Sequence, residues 1–468
     1  MERDLLHLID NHKVIDIMWY DEKTPLPNAY VALFVPKTVH PIPKHIGLTI
    51  LESALRPQDL PFEFPHYIVP EGRFLEAQKL LLDKFYPIDW NKKKIIGITG
   101  TNGKTTTCEL GRQILEQLQI PSFSLGSLGL NIKDKITPIN HNFTTPPPID
   151  LHKLLHFAFK SCDIGFMEVS AHGIHQNRCF GIPFSVAGWT SFSQDHLDYF
   201  SSMDTYFQTK EFFVKEITDK NIPFVVSGHQ KGLIHELKKY PLVITDGSII
   251  DIHKKRPPFL HIPYNLENLD MAIECINCVL GEKVNNKIHF DQLKPASGRF
   301  NVLEFKGSSQ NKTVIIDAAH TPDALENLLK ATKMVYPHKN IHLVFGCGGD
   351  RDSKKRPIMG KIAQKYAQRI FLTNDNPRNE DPELIIDQIE KGMDIRPYFA
   401  NTDRKKTIFK ALSDFEHHHN VSHHNTHSKS NDFVLIIAGK GPEEYQIIKD
   451  QKIPFNDKIV VEEFFKSS

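Results

Sequence analysis

The sequence predicts an α/β protein of three domains: a small N-terminal α/β module, a central P-loop domain on a parallel sheet, and a C-terminal Rossmann-like domain. Three observations predict it. Short β-branched runs alternate with segments of helical periodicity in two separate series. A glycine-rich turn, Gly97 to Thr107, follows the first strand of the first series, and the opening stretch is a set of short mixed elements broken by prolines. At 468 residues the chain exceeds one hydrophobic core, and boundaries near 90 and 295 divide it into 1–90, 91–295 and 296–468.

In chain order, the N-terminal module ends at Tyr86-Pro87, before a basic stretch. Lys94 to Thr99 (KIIGIT) reads as a buried strand, and Leu110, Ile114, Leu115 and Leu118 recur at helical spacing beyond the turn. Between them lies a phosphate cradle of Gly100, Thr101, Asn102, Gly103, Lys104, Thr105 and Thr106. Its glycines let backbone N–H groups approach oxygens, and the helix N-terminus favours negative charge. Lys104 is placed for the outer phosphates and Thr105 for Mg²⁺. Ile98 stands where the common G-x-x-x-x-G-K-[ST] pattern has its first glycine. Further strands are predicted at Asp163–Val169, Ser185–Phe192 and Pro223–Ser227, followed by a linker at Leu293–Gly298. The second series has strands at Thr313–Asp317, Ile341–Phe345, Arg369–Thr373 and Phe433–Ala438. In such sheets ligands collect beyond the carboxyl ends of the strands.

Composition narrows the function classes. Lysine plus arginine (57) and aspartate plus glutamate (56) nearly cancel, leaving no global field for nucleic acid or an anionic membrane. The six cysteines are scattered, which points to a reducing compartment. Cys275 and Cys278 form a C-x-x-C inside an apolar helical run, open to core packing or to redox or metal duty. The charge-interrupted start has no signal-peptide pattern and no stretch reaches the length of a membrane helix, so a soluble cytosolic chain is expected. Glu416 to Lys429 carries six histidines, either a flexible surface loop or a weak metal trap.

Two clusters sit at predicted strand ends. Glu168-Val169-Ser170-Ala171-His172-Gly173, with Gln176 and Arg178 behind it, offers a carboxylate suited to nucleotide-borne Mg²⁺. Asp195-His196-Leu197-Asp198 offers oxygen and nitrogen donors, and Lys210 follows on an amphipathic helix. Taken singly, His196 is either a hydrogen-bonded loop residue or a ligand, and Lys210 is either solvated or part of the site.

Taken together, GITGTNGKTTT, EVSAHGI, DHLDYF with Lys210, GRF, DAAHTPDALE, FGCGGDRDSKKRP and DNPRNEDP resemble, in this order, the Mur ligase family over roughly residues 94 to 468. Within it they resemble the members that add meso-diaminopimelate to the peptidoglycan precursor. The resemblance implies a bacterial, cytoplasmic enzyme that joins meso-diaminopimelate to UDP-MurNAc-L-Ala-D-Glu through an acyl phosphate. ATP, two Mg²⁺ sites and a lysine carbamylated by CO₂ come with it, and a monomer is expected, with no nucleic-acid or membrane partner.

Residue by residue, the resemblance assigns catalysis to Lys104, Glu168, His196 and Lys210, the last as carbamate, and Mg²⁺ to Thr105, Glu168, His196 and Lys210. ATP contacts fall on the cradle, on Asn268 of the segment Tyr264–Asn268, on the hinge arginine Arg299 and on Asp317, with His320 close by. Contacts to UDP-MurNAc-dipeptide fall on Thr144, Thr145, Ser170, Gln176 and Arg178, with the uridine assigned to the N-terminal domain. Those to diaminopimelate fall on Arg351, Asp375, Asn376, Arg378, Gly439 and Glu443. An arginine fork binds the distal carboxylate bidentately, whereas lysine as substrate would leave that arginine unpaired. The chain departs from the family at Asp21-Glu22-Lys23, Ala171, Ser191, Asn301 and Pro442. A lysine-adding ligase, a folylpolyglutamate-type ligase and a regulatory P-loop ATPase are the competing readings.

Overall fold

The computed structural model describes residues 1–11, 14, 16–19, 31–35, 48–52, 66–138, 143–247, 255–306, 312–417 and 432–467. Asp21 to Lys23 and residues 418–429 of the histidine-rich segment lie outside them. The chain forms two compact units, Met1–Gly97 with Gln119–Ser185, and Ile98–Leu118 with Val186–Ser468.

The first unit opens with α1 (Glu2–Asn11), β1 (Asp16–Trp19), β2 (Val31–Val35), β3 (Leu48–Glu52), β4 (His66–Val69) and α2 (Phe74–Phe85). The strands pair in chain order, all parallel. Phe74, Ala77, Leu81 and Leu82 make one apolar stripe of α2 and pack with Leu5, Ile9, Ile50 and Val69. After β5 (Lys94–Thr99) the chain passes into the second unit for α3 (Lys104–Gln117). It returns as β6 (Ser122–Gly126), β7 (Gly129–Ile132), β8 (Lys135–Thr137), α4 (Pro148–Phe159), β9 (Ile164–Glu168) and α5 (Ala171–His175). β9 pairs parallel with β6, and β6, β7 and β8 form an antiparallel meander. The β6–β7 turn is two residues, Ser127-Leu128, closed by a Gly126–Gly129 pair.

In the second unit β10 (Val186–Trp189), α6 (Leu197–Phe200), α7 (Met203–Thr218), β11 (Phe224–Val226), α8 (Lys231–Glu236), β12 (Leu242–Ile244) and α9 (Pro263–Leu280) follow one another. Their strands are parallel. The strand expected over Ser185–Phe192 stops at Trp189, because Thr190 and Ser191 turn to hold the glycine-rich loop. The remainder is β13 (Asn301–Phe305), β14 (Lys312–Asp317), α10 (Pro322–Val335), β15 (Asn340–Phe345), α11 (Lys355–Tyr366), β16 (Arg369–Leu372), α12 (Pro382–Glu390) and β17 (Phe399–Ala400). It closes with α13 (Arg404–His417), β18 (Phe433–Ala438), the hairpin β19 (Tyr445–Ile448) and β20 (Gln451–Pro454), and α14 (Asp457–Ser467). The sheet order is β13-β14-β18-β15-β16-β17, parallel except for β13. β18, FVLIIA, is buried at every position because it lies inside the sheet with helices over it.

Cys275 is sealed inside α9, and burial pushes its thiol well above the usual range, while Cys278 is pushed up to about 11. Both stay protonated at neutral pH, which fits core packing rather than thiolate chemistry. Among the described residues no helix is long and apolar enough to cross a membrane.

Candidate active site

β5 ends in a turn whose glycines are forced. Gly100 has φ +147° and Gly103 φ +88°. A Cβ would meet Thr190 Oγ1 at 1.9 Å in the first case and Asn268 Oδ1 at 2.3 Å in the second. The loop after β10 clamps this turn. Thr190 Oγ1 and Ser191 Oγ donate to the Asn102 carbonyl at 2.5 and 3.1 Å, and Asn102 N–H donates to Ser191 Oγ at 3.0 Å. Ser191, a departure from the family pattern, therefore shares this clamp with Thr190. Lys104 Nζ, on the first residue of α3, donates to the carbonyls of Gly100 (2.8 Å) and Thr101 (3.0 Å), which keeps the ammonium over the loop. Thr105 and Thr106 are buried in the same first turn, and Arg299 Nη2 reaches Thr105 Oγ1 at 3.5 Å.

Asp317, at the end of β14, accepts Phe300 N–H at 2.6 Å and Ala319 N–H at 2.8 Å. Burial pushes its carboxyl up, against the pull of Arg299 and these amides. Its oxygens thus fasten the Arg299 segment. His320 Nδ1 bonds the Ala318 carbonyl at 2.7 Å. Asp323, in the first turn of α10, accepts from Asn102 Nδ2 at 2.8 Å; it lies within the DAAHTPDALE motif but receives no role from the sequence.

Lys210 points inward from α7 and is wholly buried, with Nζ donating to Thr99 Oγ1 at 3.1 Å and lying 5.1 Å from the Tyr206 ring centroid. Burial and then the charge of Lys104 hold its amine well below the usual lysine range, opposed by Asp195. His196 takes a left-handed φ of +56° just before α6, and its Nε2 stands 3.4 Å from Asp195 Oδ2. For Asp195, burial opposes ionisation, but His196, Lys355 and His320 with the His196 N–H hold the carboxyl well below the usual range. Asp195 is named within the DHLD cluster but receives no role from the sequence; its oxygens orient His196 and meet Lys355 at 3.8 Å.

A second cluster in this unit lies beyond β16 and β18. Asn376 Nδ2 donates to Glu443 Oε2 at 2.9 Å, and the buried Lys440 Nζ reaches the same oxygen at 2.7 Å and Asn376 Oδ1 at 3.1 Å. Arg378 has φ +50° and its Nη1 donates to the Gly349 carbonyl at 2.8 Å. Burial and the neighbouring Arg351 charge lower its affinity for its proton. Arg351 itself stands 3.5 Å from Asp198. A Cβ on Gly439, φ +115°, would sit 2.4 Å from Asp375 Oδ2, so the glycine admits that carboxylate. Two like-charged guanidiniums on one side and a carboxylate on the other suit a ligand carrying a carboxylate and an ammonium. Lys440, which orders the carboxylate, stands between Gly439 and Pro442 and receives no role from the sequence.

The first unit gathers its own set. Glu168, at the tip of β9, accepts Ser127 N–H at 2.9 Å and Ser127 Oγ at 3.3 Å. Thr145 Oγ1 donates to the Glu168 carbonyl and accepts Ser170 N–H, each at 2.9 Å, and Ser127 Oγ lies 3.1 Å from Thr144 Oγ1. Arg178 donates to the Thr145 carbonyl at 2.6 Å and through Nε and Nη2 to Gln176 Oε1 at 3.0 and 2.6 Å. Thr144, Thr145, Glu168, Ser170, Gln176 and Arg178 are thus one connected network, joined by Ser127, which the sequence did not single out.

Residues 98–248 match the Mur ligase middle domain and residues 298–438 the Mur ligase glutamate ligase domain. A UDP-N-acetylmuramoyl-L-alanyl-D-glutamate--2,6-diaminopimelate ligase of Cytophaga hutchinsonii is 34% identical over 412 residues, 83% of this chain and 81% of its own. The chain belongs to the Mur ligase family. As a member it is a ligase, and solved structures share its three-domain α/β fold. A structure of UDP-N-acetylmuramoyl-L-alanyl-D-glutamate--2,6-diaminopimelate ligase has a TM-score of 0.55 at 23% identity, covering 97% of this chain and 95% of that one. A MurF ligase from Thermotoga maritima in complex with ADP has a TM-score of 0.61 at 18% identity, covering 98% of each chain.

In this Mur ligase the network around Glu168 yields a direct prediction. A Cβ on Gly126 would lie 2.2 Å from Glu168 Oε1 and 2.5 Å from its Cδ. Gly126→Ala therefore displaces the carboxylate, and steady-state kinetics should show kcat reduced on the order of a hundredfold. Wild-type kcat in that variant would mean that Glu168 has no fixed task.

Proposed function

We propose that the chain joins meso-diaminopimelate to the D-Glu γ-carboxyl of UDP-MurNAc-L-Ala-D-Glu with cleavage of ATP to ADP and phosphate, in the bacterial cytoplasm, as a monomer. The observation that carries this reading is the cluster of Arg351, Arg378, Asn376 and Glu443, with Lys440 holding the last two. An amino acid with a second carboxylate and a second ammonium at its far end answers both charges, and L-lysine answers one of them. The Cytophaga hutchinsonii relative is named for this substrate pair. We assign residues 1–90 to the uridine end of the nucleotide substrate, 91–295 to ATP and 296–468 to the incoming amino acid.

Lys104 and the loop amides balance the charge of the γ-phosphate while the D-Glu γ-carboxylate attacks it. The new P–O bond makes an acyl phosphate as ADP leaves. The free amine of diaminopimelate then attacks the acyl carbon, phosphate departs, and the amine proton leaves with solvent. We assign Arg299, which reaches Thr105 Oγ1, to the phosphates, and Asn268, beside Gly103, to ATP as the family resemblance implies. In the second unit the Thr105 hydroxyl and a carbamate on Lys210 would be hard-oxygen donors for Mg²⁺, with His196 as the nitrogen donor, and the Glu168 carboxylate is the hard-oxygen donor that we assign in the first unit. Bound there, two Mg²⁺ ions supply charge neutralisation to the transferring phosphoryl group. The carbamate reading is supported by the burial of Lys210, because only the neutral amine adds CO₂.

A coupled phosphate-release assay with UDP-MurNAc-L-Ala-D-Glu, ATP and Mg²⁺ tests the reading in three arms: meso-diaminopimelate, L-lysine and no amino acid. Release is expected with diaminopimelate and near background in the other two. Release indifferent to amino acid would point to a regulatory ATPase, and preference for L-lysine to the lysine-adding branch.

A further inference from the structure

Arg404 lies outside every motif and every assigned contact, yet its side chain is fully buried and bonds the segments that lead into the amino-acid cluster. It begins α13, and Asp457 begins α14; both side chains are 0% exposed. Nε and Nη2 donate to Asp457 Oδ1 and Oδ2, each at 2.8 Å. The other two bonds leave the ion pair. Nη1 donates to the Asn374 carbonyl at 3.0 Å and Nη2 to the Ala438 carbonyl at 3.1 Å. Asn374 follows β16 and immediately precedes Asp375, Asn376 and Arg378. Ala438 ends β18 and immediately precedes Gly439, Lys440 and Glu443. β15 separates these two strands in the sheet, so no ladder bond joins their ends.

We propose that Arg404, held by Asp457, is a positioning residue for the amino-acid site: one guanidinium sets the distance between the arm bearing Asn376 and Arg378 and the arm bearing Gly439 and Glu443. The arms meet at Asn376, whose Nδ2 donates to Glu443 Oε2 at 2.9 Å and whose Oδ1 accepts from Lys440 Nζ at 3.1 Å, contacts that a small separation of the two carbonyls would lengthen. A planar fork with five donors fulfils this task and an ammonium does not. The inference rests on the proposed role of this cluster in binding the incoming amino acid, whichever amino acid that is.

Three variants test it, with KM measured separately for ATP, UDP-MurNAc-L-Ala-D-Glu and the amino acid that the wild type uses best. Arg404→Lys keeps the charge and loses the fork. Arg404→Met combined with Asp457→Leu removes the ion pair and both carbonyl bonds while filling the space with apolar groups, a replacement that often preserves stability. Asp457→Asn leaves the guanidinium with a neutral partner. Arg404→Lys and the double variant are expected to raise the amino-acid KM by on the order of tenfold or more, with the other two KM values within about threefold. Asp457→Asn should shift it in the same direction by less. A double variant that unfolds at the wild-type temperature with a wild-type amino-acid KM overturns the proposal. So does an equal rise in all three KM values, or the failure of all three variants to fold, since the pair would then serve the fold as a whole. A wild type that prefers L-lysine would correct the substrate and leave this test intact.

Discussion

Lys210→Ala lowers the ligase turnover number by roughly a thousandfold or more, and added bicarbonate does not restore it. The side chain is wholly buried, its Nζ donates to the Thr99 hydroxyl at 3.1 Å, and Lys104 adds a like charge from the loop side. A protonated lysine gains little in that setting, which favours the neutral amine that addition of CO₂ requires. The proposed carbamate would convert a group repelled by Lys104 into an anion attracted by it and by Mg²⁺. Alanine removes the attachment point, so bicarbonate has nothing to modify. Steady-state kinetics and the intact mass of the wild-type protein, which should carry one added CO₂ when handled without acid, check this together. Full activity in the variant would remove the carbamate from the mechanism.

Arg378→Lys should lower kcat/KM for meso-diaminopimelate on the order of a hundredfold, equivalent to about 3 kcal/mol, and narrow the gap to L-lysine. The guanidinium is braced by Gly349 at 2.8 Å, and its backbone is tied to the β19 hairpin by Arg378 N–H to Ile447 O at 3.0 Å and Lys449 N–H to Arg378 O at 2.8 Å. Its orientation is thus set before the ligand arrives. Lysine in its place offers one point of charge where a carboxylate presents two oxygens. The KM for ATP should be unchanged, because no ATP contact falls on this arm. Wild-type discrimination between the two amino acids in this variant would place selectivity elsewhere.

The two sheets were legible where strands are buried on both faces. KIIGIT and FVLIIA read as strands because a continuous apolar run is what such burial demands. The β6–β8 meander was not, since SFSLG, GLNI and KIT are short, partly polar and, in β8, exposed throughout. β13 and the β19–β20 hairpin escaped for the same reason, their patterning being set by pairing rather than burial. At the site, residues expected to touch ligand were readable because their chemistry repeats in short motifs. Ser127, Asp195, Asp323, Lys440 and Arg404 act by holding other protein groups across long stretches of chain. A serine in a hairpin turn or an arginine at a helix start carries no local signal of such a partner.

The central claim, that this Mur ligase forms an amide between the D-Glu γ-carboxyl and diaminopimelate, is tested most directly by product analysis. Purified protein would be incubated with UDP-MurNAc-L-Ala-D-Glu, ATP, Mg²⁺ and an equimolar mixture of meso-diaminopimelate and L-lysine, and the nucleotide products separated and weighed by mass spectrometry. The expected result is UDP-MurNAc-tripeptide ending in diaminopimelate, formed in equal amount to ADP. A lysine-terminated product, or ADP formed with no tripeptide at all, would contradict it.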